Sequence, residues 1–509
     1  MLDGLERNHL AAGLLTAPGE RIFAEMPEGG TVSYAALADE AACLATVLQG
    51  AGLAPGERVA VQVEKSLPAL TLYLATILAG GVFLPLNPAY TGAEVTTFLA
   101  DAEPAIVVCD PARQAAFQAM AEVASARALF TLDAAGAGSL MQAATPVERF
   151  EVVARGPDDL AAILYTSGTT GRSKGAMLSH ENLLSNARTL AEIWRFGAED
   201  RLIHALPIFH THGLFVATNV ALIAGCSLIF LPKFDAEAVL AAMPQATALM
   251  GVPTFYTRLL EMPDLGAAAR SMRLFIAGSA PLLAATHEAW RALTGHAILE
   301  RYGMTETGMI TSNPHDGERR PGSVGPALPD VEIRVTGADG LPLPAEEIGA
   351  VEVRGPNVFQ GYWRMPEKTR EEFREDGFFI TGDLGRIGAD GYLTLIGRAK
   401  DLVISGGFNV YPKEVEAALD ALDGVVESAV IGLPHPDLGE AVAAVVVAEP
   451  EAGLSEDAVR GALAERLARF KQPRRIFFAD ALPRNAMGKV QKVALRADHA
   501  ETFAAKADR

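Results

Sequence analysis

The segment Tyr165-Thr166-Ser167-Gly168-Thr169-Thr170-Gly171-Arg172-Ser173-Lys174-Gly175 gathers glycines, hydroxyls and a lysine directly after the apolar run Ala161–Leu164. Glycines permit tight turns and close backbone approach, hydroxyls donate hydrogen bonds and lysine adds charge, so this composition suits a polyphosphate. It is not a Walker loop, because the glycine-lysine-serine/threonine ending is missing. A generic Gly/Ser/Thr loop is a solvated turn; the lysine and the buried strand before it favour phosphate contact here. Four more polar motifs follow: Tyr302-Gly303-Met304-Thr305-Glu306, Thr381-Gly382-Asp383, Gly397-Arg398-Ala399-Lys400-Asp401 and Pro483-Arg484-Asn485-Ala486-Met487-Gly488-Lys489. Taken alone, Tyr302 reads as core packing, Asp383 as a solvated turn and Lys489 as an ordinary surface lysine. His210 and His212 are spaced like ligands, but no further cluster accompanies them, so no metal is expected on them.

The elements that must position these groups are legible from patterning. Short β-branched runs (Arg58–Val63, Ile106–Cys109, Ala161–Tyr165, Ser227–Leu231, Leu274–Ala277) alternate with longer Ala/Leu-rich segments, which predicts helices on mainly parallel sheets. From about Gly325 closely spaced strands take over (Val331–Val335, Gly349–Arg354, Tyr392–Ile396), with turns at Gly340 and Asp390-Gly391. A compact α+β pattern ends the chain: a helix from Pro412 to about Leu422, strands around Val425–Leu433 and Ala441–Ala448, and a helix near Ser455–Phe470. We therefore expect an α/β protein with a large N-terminal domain over 1–399, made of two α/β subdomains and a β-rich one, and a small α+β C-terminal domain over 400–509.

With 509 residues, 50% of them hydrophobic and 21% charged, the chain exceeds one hydrophobic core and is not disordered. A formal charge of −19 argues against a nucleic-acid partner, and it leaves any anionic substrate to locally placed cations. Cys43, Cys109 and Cys226 form no paired spacing, which suits a reducing cytoplasm. Met1–Pro18 shows no secretory pattern. Two long apolar stretches, Leu67–Leu86 and Leu214–Leu231, are each broken by glycine into a helix-length part and a short β-rich part (Val82–Leu86; Ser227–Leu231), so no membrane span is expected.

The five motifs, in this order across nearly the whole chain, resemble the signatures of the acyl-adenylate-forming superfamily, which includes acyl-CoA synthetases, nonribosomal adenylation domains and luciferase. The resemblance implies ATP-dependent activation of a carboxylic acid as an acyl-adenylate, then transfer to coenzyme A, with Mg2+ as the metal and the C-terminal domain mobile. It assigns Thr166, Ser167, Gly168, Thr169, Thr170, Gly171 and Lys174 to the ATP phosphates, Gly278, Ser279 and Ala280 with Tyr302, Gly303 and Met304 to the adenine side, and Asp383 with Arg398 to the ribose. Thr305 falls on a phosphate contact and Glu306 on the magnesium, a hard cation that takes oxygen ligands. Lys489 falls on the lysine of adenylation, Asp401 on the hinge, and Ser405, Gly406 and Gly407 on the tunnel for the pantetheine arm. Acetylation controls related synthetases, and an acetyltransferase and deacetylase acting at Lys489 would remove its charge. Degenerate, non-catalytic binders typically lose this lysine or the metal carboxylate; both are present.

The acid is read from its own pocket. Leu299-Glu300-Arg301-Tyr302 puts an arginine directly before the adenine-side tyrosine, where it points across the acyl pocket if Tyr302 faces the nucleotide. A buried guanidinium without an anion is costly, which argues for a substrate with a second carboxylate; a pair with Glu300 is the bland alternative. Over Ser173–Leu178, Phe209–Phe215 and Arg301–Thr307 the chain resembles bacterial malonyl-CoA synthetases. That resemblance implies malonate held by Arg301 and Ser279, with His210, Thr211 and Met309 lining the pocket, Thr211 and Met309 shaping room for a 2-methyl group. Methylmalonate and other short acids are the alternatives.

Overall fold

The computed structural model describes residues 2–166, 173–485 and 488–503, and these divide into two compact units. The first holds 2–332 and 353–379; the second holds 333–352 and 380–503. The domain junction expected at 399/400 falls inside the second unit.

Two large sheets organise the first unit. One runs Gly361–Tyr362, Lys174–Ser179, Leu160–Thr166, Val82–Pro85, Arg58–Gln62, Ile106–Cys109, Ala128–Thr131, with parallel neighbours from Leu160–Thr166 onward. Its fully buried runs are what a sheet covered on both faces requires. The phosphate-loop segment joins the antiparallel pair Leu160–Thr166 and Lys174–Ser179, in which Thr166 lies opposite Lys174. The expected contacts of Ser167, Gly168, Thr169, Thr170 and Gly171 lie outside the described residues.

The other sheet runs Gly308–Ser312, Leu299–Met304, Leu274–Ala277, Ala248–Gly251, Arg201–His204, Ser227–Phe230, Ile22–Glu25, Thr31–Ser33, parallel throughout except at its two edges. The two apolar stretches behave as their glycines dictate. Leu67–Leu78 is helical, capped by the Ser66 hydroxyl, and buries every residue from Ala69 to Leu78. Gly80, at φ 74°, ends it and lets the chain enter Val82–Pro85. Gly225, at φ 65°, separates Asn219–Ala224 from Ser227–Phe230 in the same way. Among the described residues no helix is long and apolar enough to cross a membrane.

In the second unit a four-stranded sheet (Glu332–Thr336, Gly349–Arg354, Phe379–Ile387, Leu393–Arg398) precedes a five-stranded one. The long antiparallel pair Val425–His435 and Gly439–Ala448 alternates its side chains between two cores. Val430, Val442 and Ala444 meet Val415, Leu419, Val459 and Leu463 on one face; Ile431, Leu433 and Val445 meet Leu482 and Leu495 on the other. The helix expected to run to about Phe470 stops at Ala464, where Arg466 and Leu467 both donate their N–H to Leu463 O and the chain tightens into turns.

Candidate active site

The strand Leu299–Met304 and its partner Gly308–Ser312 form a hairpin whose register slips between Tyr302 and Gly303. A Cβ at Gly303 would meet Gly308 O at 2.0 Å, so only glycine allows this crossing of the two backbones. Alternation along the strand sends Glu300 and Arg301 to opposite faces. Glu300 Oε1 lies 3.4 Å from His287 Nδ1 and accepts from Gly322 N, so it is not the partner of Arg301.

Arg301 is 3% exposed, and its Nε and Nη2 have no hydrogen-bond acceptor. The guanidinium lies flat on Gly278, where a Cβ would meet Cζ at 2.3 Å. Burial drives its pKa down to about 9, which still leaves it cationic at neutral pH. Burial, then this cation, press His210 down to about 4, and the same influences hold His212 well below the usual imidazole range. His212 Nδ1 lies 3.1 Å from Ser279 Oγ, while His212 Nε2 and Thr211 Oγ1 are buried without a partner. Ser279 sits at φ 73°, a left-handed conformation that a non-glycine residue holds only under strain, just past the end of the strand Leu274–Ala277. Met309 is buried on the adjoining strand, its N–H donating to Asn186 Oδ1. The structure thus brings Arg301, Ser279, His210 and His212 into one buried cluster of unsatisfied donors and neutral bases.

The His210–Gly213 segment leads into a π-helix, His212–Thr218. A Cβ at Gly213 would meet Pro207 O at 2.1 Å, and Gly213 O accepts from both Thr218 Oγ1, at 3.0 Å, and His204 Nε2, at 2.9 Å. Widened turns of this kind concentrate at functional sites.

Around Glu306 lies a second network. Glu306 is buried, and its Oε1 accepts from Tyr362 OH at 3.1 Å and from Thr166 Oγ1 at 3.4 Å. Tyr362 OH also donates to Glu372 Oε2 at 2.8 Å, and Lys174 Nζ reaches Glu372 Oε1 at 2.9 Å while lying 4.0 Å above the Tyr362 ring. Burial, reinforced by both carboxylates, raises the Tyr362 pKa. Burial works against ionisation of Glu372, but bonds from Lys174, Tyr362 and Lys368 outweigh it and hold its pKa low. Tyr362 and Glu372 were not singled out from the sequence. The only local hint is the Gly361-Tyr362 pair; Glu372 closes a charged run that looks like a solvated helix end. Thr305, in the turn of the hairpin, lines a small, mainly apolar cavity together with Thr211, Phe215 and Asn357. A single carboxylate beside hydroxyls suits magnesium, which takes one or two carboxylates and completes its shell with phosphate oxygens and water. Among the described residues no group of three or more His, Cys, Asp or Glu forms an all-protein metal site.

In the second unit Asp383 and Arg398 face each other across antiparallel strands and pair at 2.8 Å. The Asp383 N–H is fixed by Thr381 Oγ1, which in turn donates to Val351 O. Lys489 keeps contact with solvent, yet the protein around its ammonium lowers the pKa to about 8; burial leads, Arg398 adds to it, and Asp383 opposes it. Asp401 ends a short 3-10 turn and accepts from Arg496 Nη2 at 2.8 Å. Ser405, Gly406 and Gly407 form the tip between Val403–Ser405 and Phe408–Val410, both glycines at positive φ. Ala486 and Met487 lie outside the described residues.

Comparison with known proteins identifies the family. The AMP-binding enzyme family matches residues 15–363, and the AMP-binding enzyme C-terminal domain family matches 414–489. ATP-bound MatB from Rhodopseudomonas palustris superposes with a TM-score of 0.96 at 58% identity, covering 98% of this chain and 99% of that one. A malonate–CoA ligase of Arabidopsis thaliana is 35% identical over 482 residues, 88% of this chain and 79% of the relative. A sulfoacetate–CoA ligase of Cupriavidus necator is 35% identical over 477 residues, 92% of each. The chain therefore belongs to the AMP-binding enzyme family and is an AMP-forming acid–CoA ligase.

Proposed function

We propose that the acid is malonate and the product malonyl-CoA. The observation that carries this reading is Arg301: a buried cation with two unpartnered nitrogens and no carboxylate of the described residues paired with it. A distal carboxylate supplies the missing acceptors through two parallel hydrogen bonds, and Ser279 and His212 add a second polar wall. His210 and His212, neutral in this setting, contribute no competing charge. The 35% identity to a malonate–CoA ligase supports the same acid. Sulfoacetate, another two-headed anion, is a second reading favoured by the relative that uses it. Methylmalonate is a third, with Thr211 and Met309 bounding the 2-position.

In the first half-reaction a carboxylate oxygen attacks the α-phosphorus of ATP and the bond to pyrophosphate breaks. Thr166, Lys174 and Thr305 hold phosphate oxygens, and Asp383 with Arg398 holds the ribose. Lys489 spans the carboxylate and the α-phosphate as a cation. Glu306 would hold magnesium, which would supply neutralisation of phosphate charge. In the second half-reaction the thiol sulfur of coenzyme A attacks the acyl carbon and AMP leaves; rotation about Asp401 brings Ser405, Gly406 and Gly407 to the site, where small residues admit the pantetheine arm. An AMP-release assay on malonate, methylmalonate, sulfoacetate, acetate and propionate tests the reading. Malonate is expected to give the highest kcat/KM, and preference for a monocarboxylate overturns it.

A further inference from the structure

Lys65 is the residue before the Ser66 cap of the Leu67–Leu78 helix, and it is 8% exposed with no carboxylate acting on it among the described residues. Its Nζ lies 2.9 Å from His204 Nδ1 and 2.8 Å from His204 O, and 4.5 Å above the Phe230 ring. Lys65 follows a strand of the seven-stranded sheet and His204 ends a strand of the eight-stranded one, so the contact joins the carboxyl ends of both sheets, the edge where ligands of open α/β sheets bind.

The hydrogen bonds fix the protons. Gly213 O can only accept, so His204 Nε2, 2.9 Å away, carries the hydrogen. His204 Nδ1 is then the acceptor, and Lys65 donates to it and to His204 O. Burial alone pushes Lys65 well below the usual lysine range, and in either protonation state its nitrogen is the donor of this pair. Donation thus runs in one direction, from Lys65 through the imidazole to the carbonyl that opens the π-helix.

We propose that Lys65, acting through His204, is a positioning residue for the acid-binding segment His210–Gly213. Three points hold that segment: Pro207 O against the bare face of Gly213, His204 with Thr218 on Gly213 O, and Ser279 on His212. Only the second depends on a chain of side chains that reaches away from the pocket, and Lys65 is its origin. Without the two donors from Lys65 the imidazole loses its fixed tautomer, and Gly213 O loses the bond that sets the direction of Thr211 and His212.

This inference rests on the acid lying beside Arg301, but not on which acid it is. The experiment compares Lys65→Met with Lys65→Gln, reading KM separately for acid and ATP, with malonate as the probe and the wild type's best acid from the panel in parallel. Lys65→Met is expected to raise the acid KM about tenfold with the ATP KM within about twofold, a displacement effect of the size misplaced positioning groups produce. Lys65→Gln, which keeps an N–H donor, restores a large part of that loss. Thr218→Val, which removes the other donor to Gly213 O, shifts the acid KM in the same direction by less, and it keeps the idea testable if Lys65→Met fails to fold. Equal rises in both KM values, no rise in either, or a Gln variant no better than Met overturns the proposal. If malonate is the wrong acid, the wild type shows it first and the split is read with the acid it prefers.

Discussion

Replacing Arg301 with Met should move activity and stability in opposite directions. In the substrate-free protein the guanidinium is buried with Nε and Nη2 unsatisfied, so its removal relieves a desolvation penalty. Exchanging a buried charged group for a well-packed apolar one of similar size is often neutral or stabilising by about 1–4 kcal/mol. Met fills most of the volume over Gly278, and the thermal midpoint is therefore expected to hold or rise. With malonate bound the sign reverses. The distal carboxylate then enters a pocket that offers neutral imidazoles and hydroxyls and no cation, and breaking a buried ion pair on one side costs about 3–5 kcal/mol. At a tenfold change per 1.4 kcal/mol, kcat/KM for malonate should fall roughly 100- to 4000-fold. Acetate and propionate carry no second carboxylate, and their kcat/KM should stay within about fivefold or improve as the pocket becomes apolar. Acid-dependent pyrophosphate exchange on the five acids, beside a thermal melt, gives both readouts from one preparation. A parallel fall for malonate and acetate, or a drop of several degrees in the midpoint, refutes the reasoning, because either would make Arg301 a structural residue.

Lys489→Ala should abolish adenylate formation and leave thioester formation from supplied acyl-AMP largely intact; equal loss of both half-reactions would show the role is wrong. Because a lysine is cationic below its pKa and that of Lys489 is lowered to about 8, adenylation should fall on the alkaline side with a midpoint near pH 8, and an unchanged rate up to pH 9.5 counts against the cation's role. Asp401→Pro fixes φ at the hinge and should uncouple the half-reactions, seen as adenylate formation without thioester; normal turnover with coenzyme A removes the hinge assignment. Tyr362→Phe strips the hydroxyl shared by the buried Glu306 and the half-buried Glu372, at a stability cost of about 1–3 kcal/mol measured by denaturant melt, and a neutral result would mean that water replaces the hydroxyl freely.

Much of this was readable before the fold was known, for physical reasons. Ile106–Cys109 and Leu274–Ala277 are strands as expected, since short uninterrupted apolar runs between turn residues suit a sheet covered on both faces. A pair between Arg301 and Glu300 stayed open in the sequence until the fold gave Glu300 other partners, whereas the glycines at 80 and 225 already marked where helix gives way to strand. What was not readable depends on pairing across long stretches of chain. Tyr362 reaches Glu306 because Gly361–Tyr362 pairs with Ala176 and Met177, nearly two hundred residues earlier. Lys65 looked like any lysine before a helix cap, because nothing local says that His204 will arrive above it. The helix expected to reach Phe470 erred for a local reason, a bifurcated bond to Leu463 O that no apolar spacing announces.

The hairpin at Leu299–Met304 has an evolutionary consequence. Residues 301 and 302 are neighbours in sequence, yet the pleat turns them to opposite sides, with the guanidinium of 301 over Gly278. A mutation at 301 can therefore change the appetite of the enzyme for an acid while the neighbouring residue keeps its own environment. Gly278 adds a second dial, since any side chain there competes with the residue at 301 for the same space. Drift through this pair of positions offers a lineage a short path between acids of different charge.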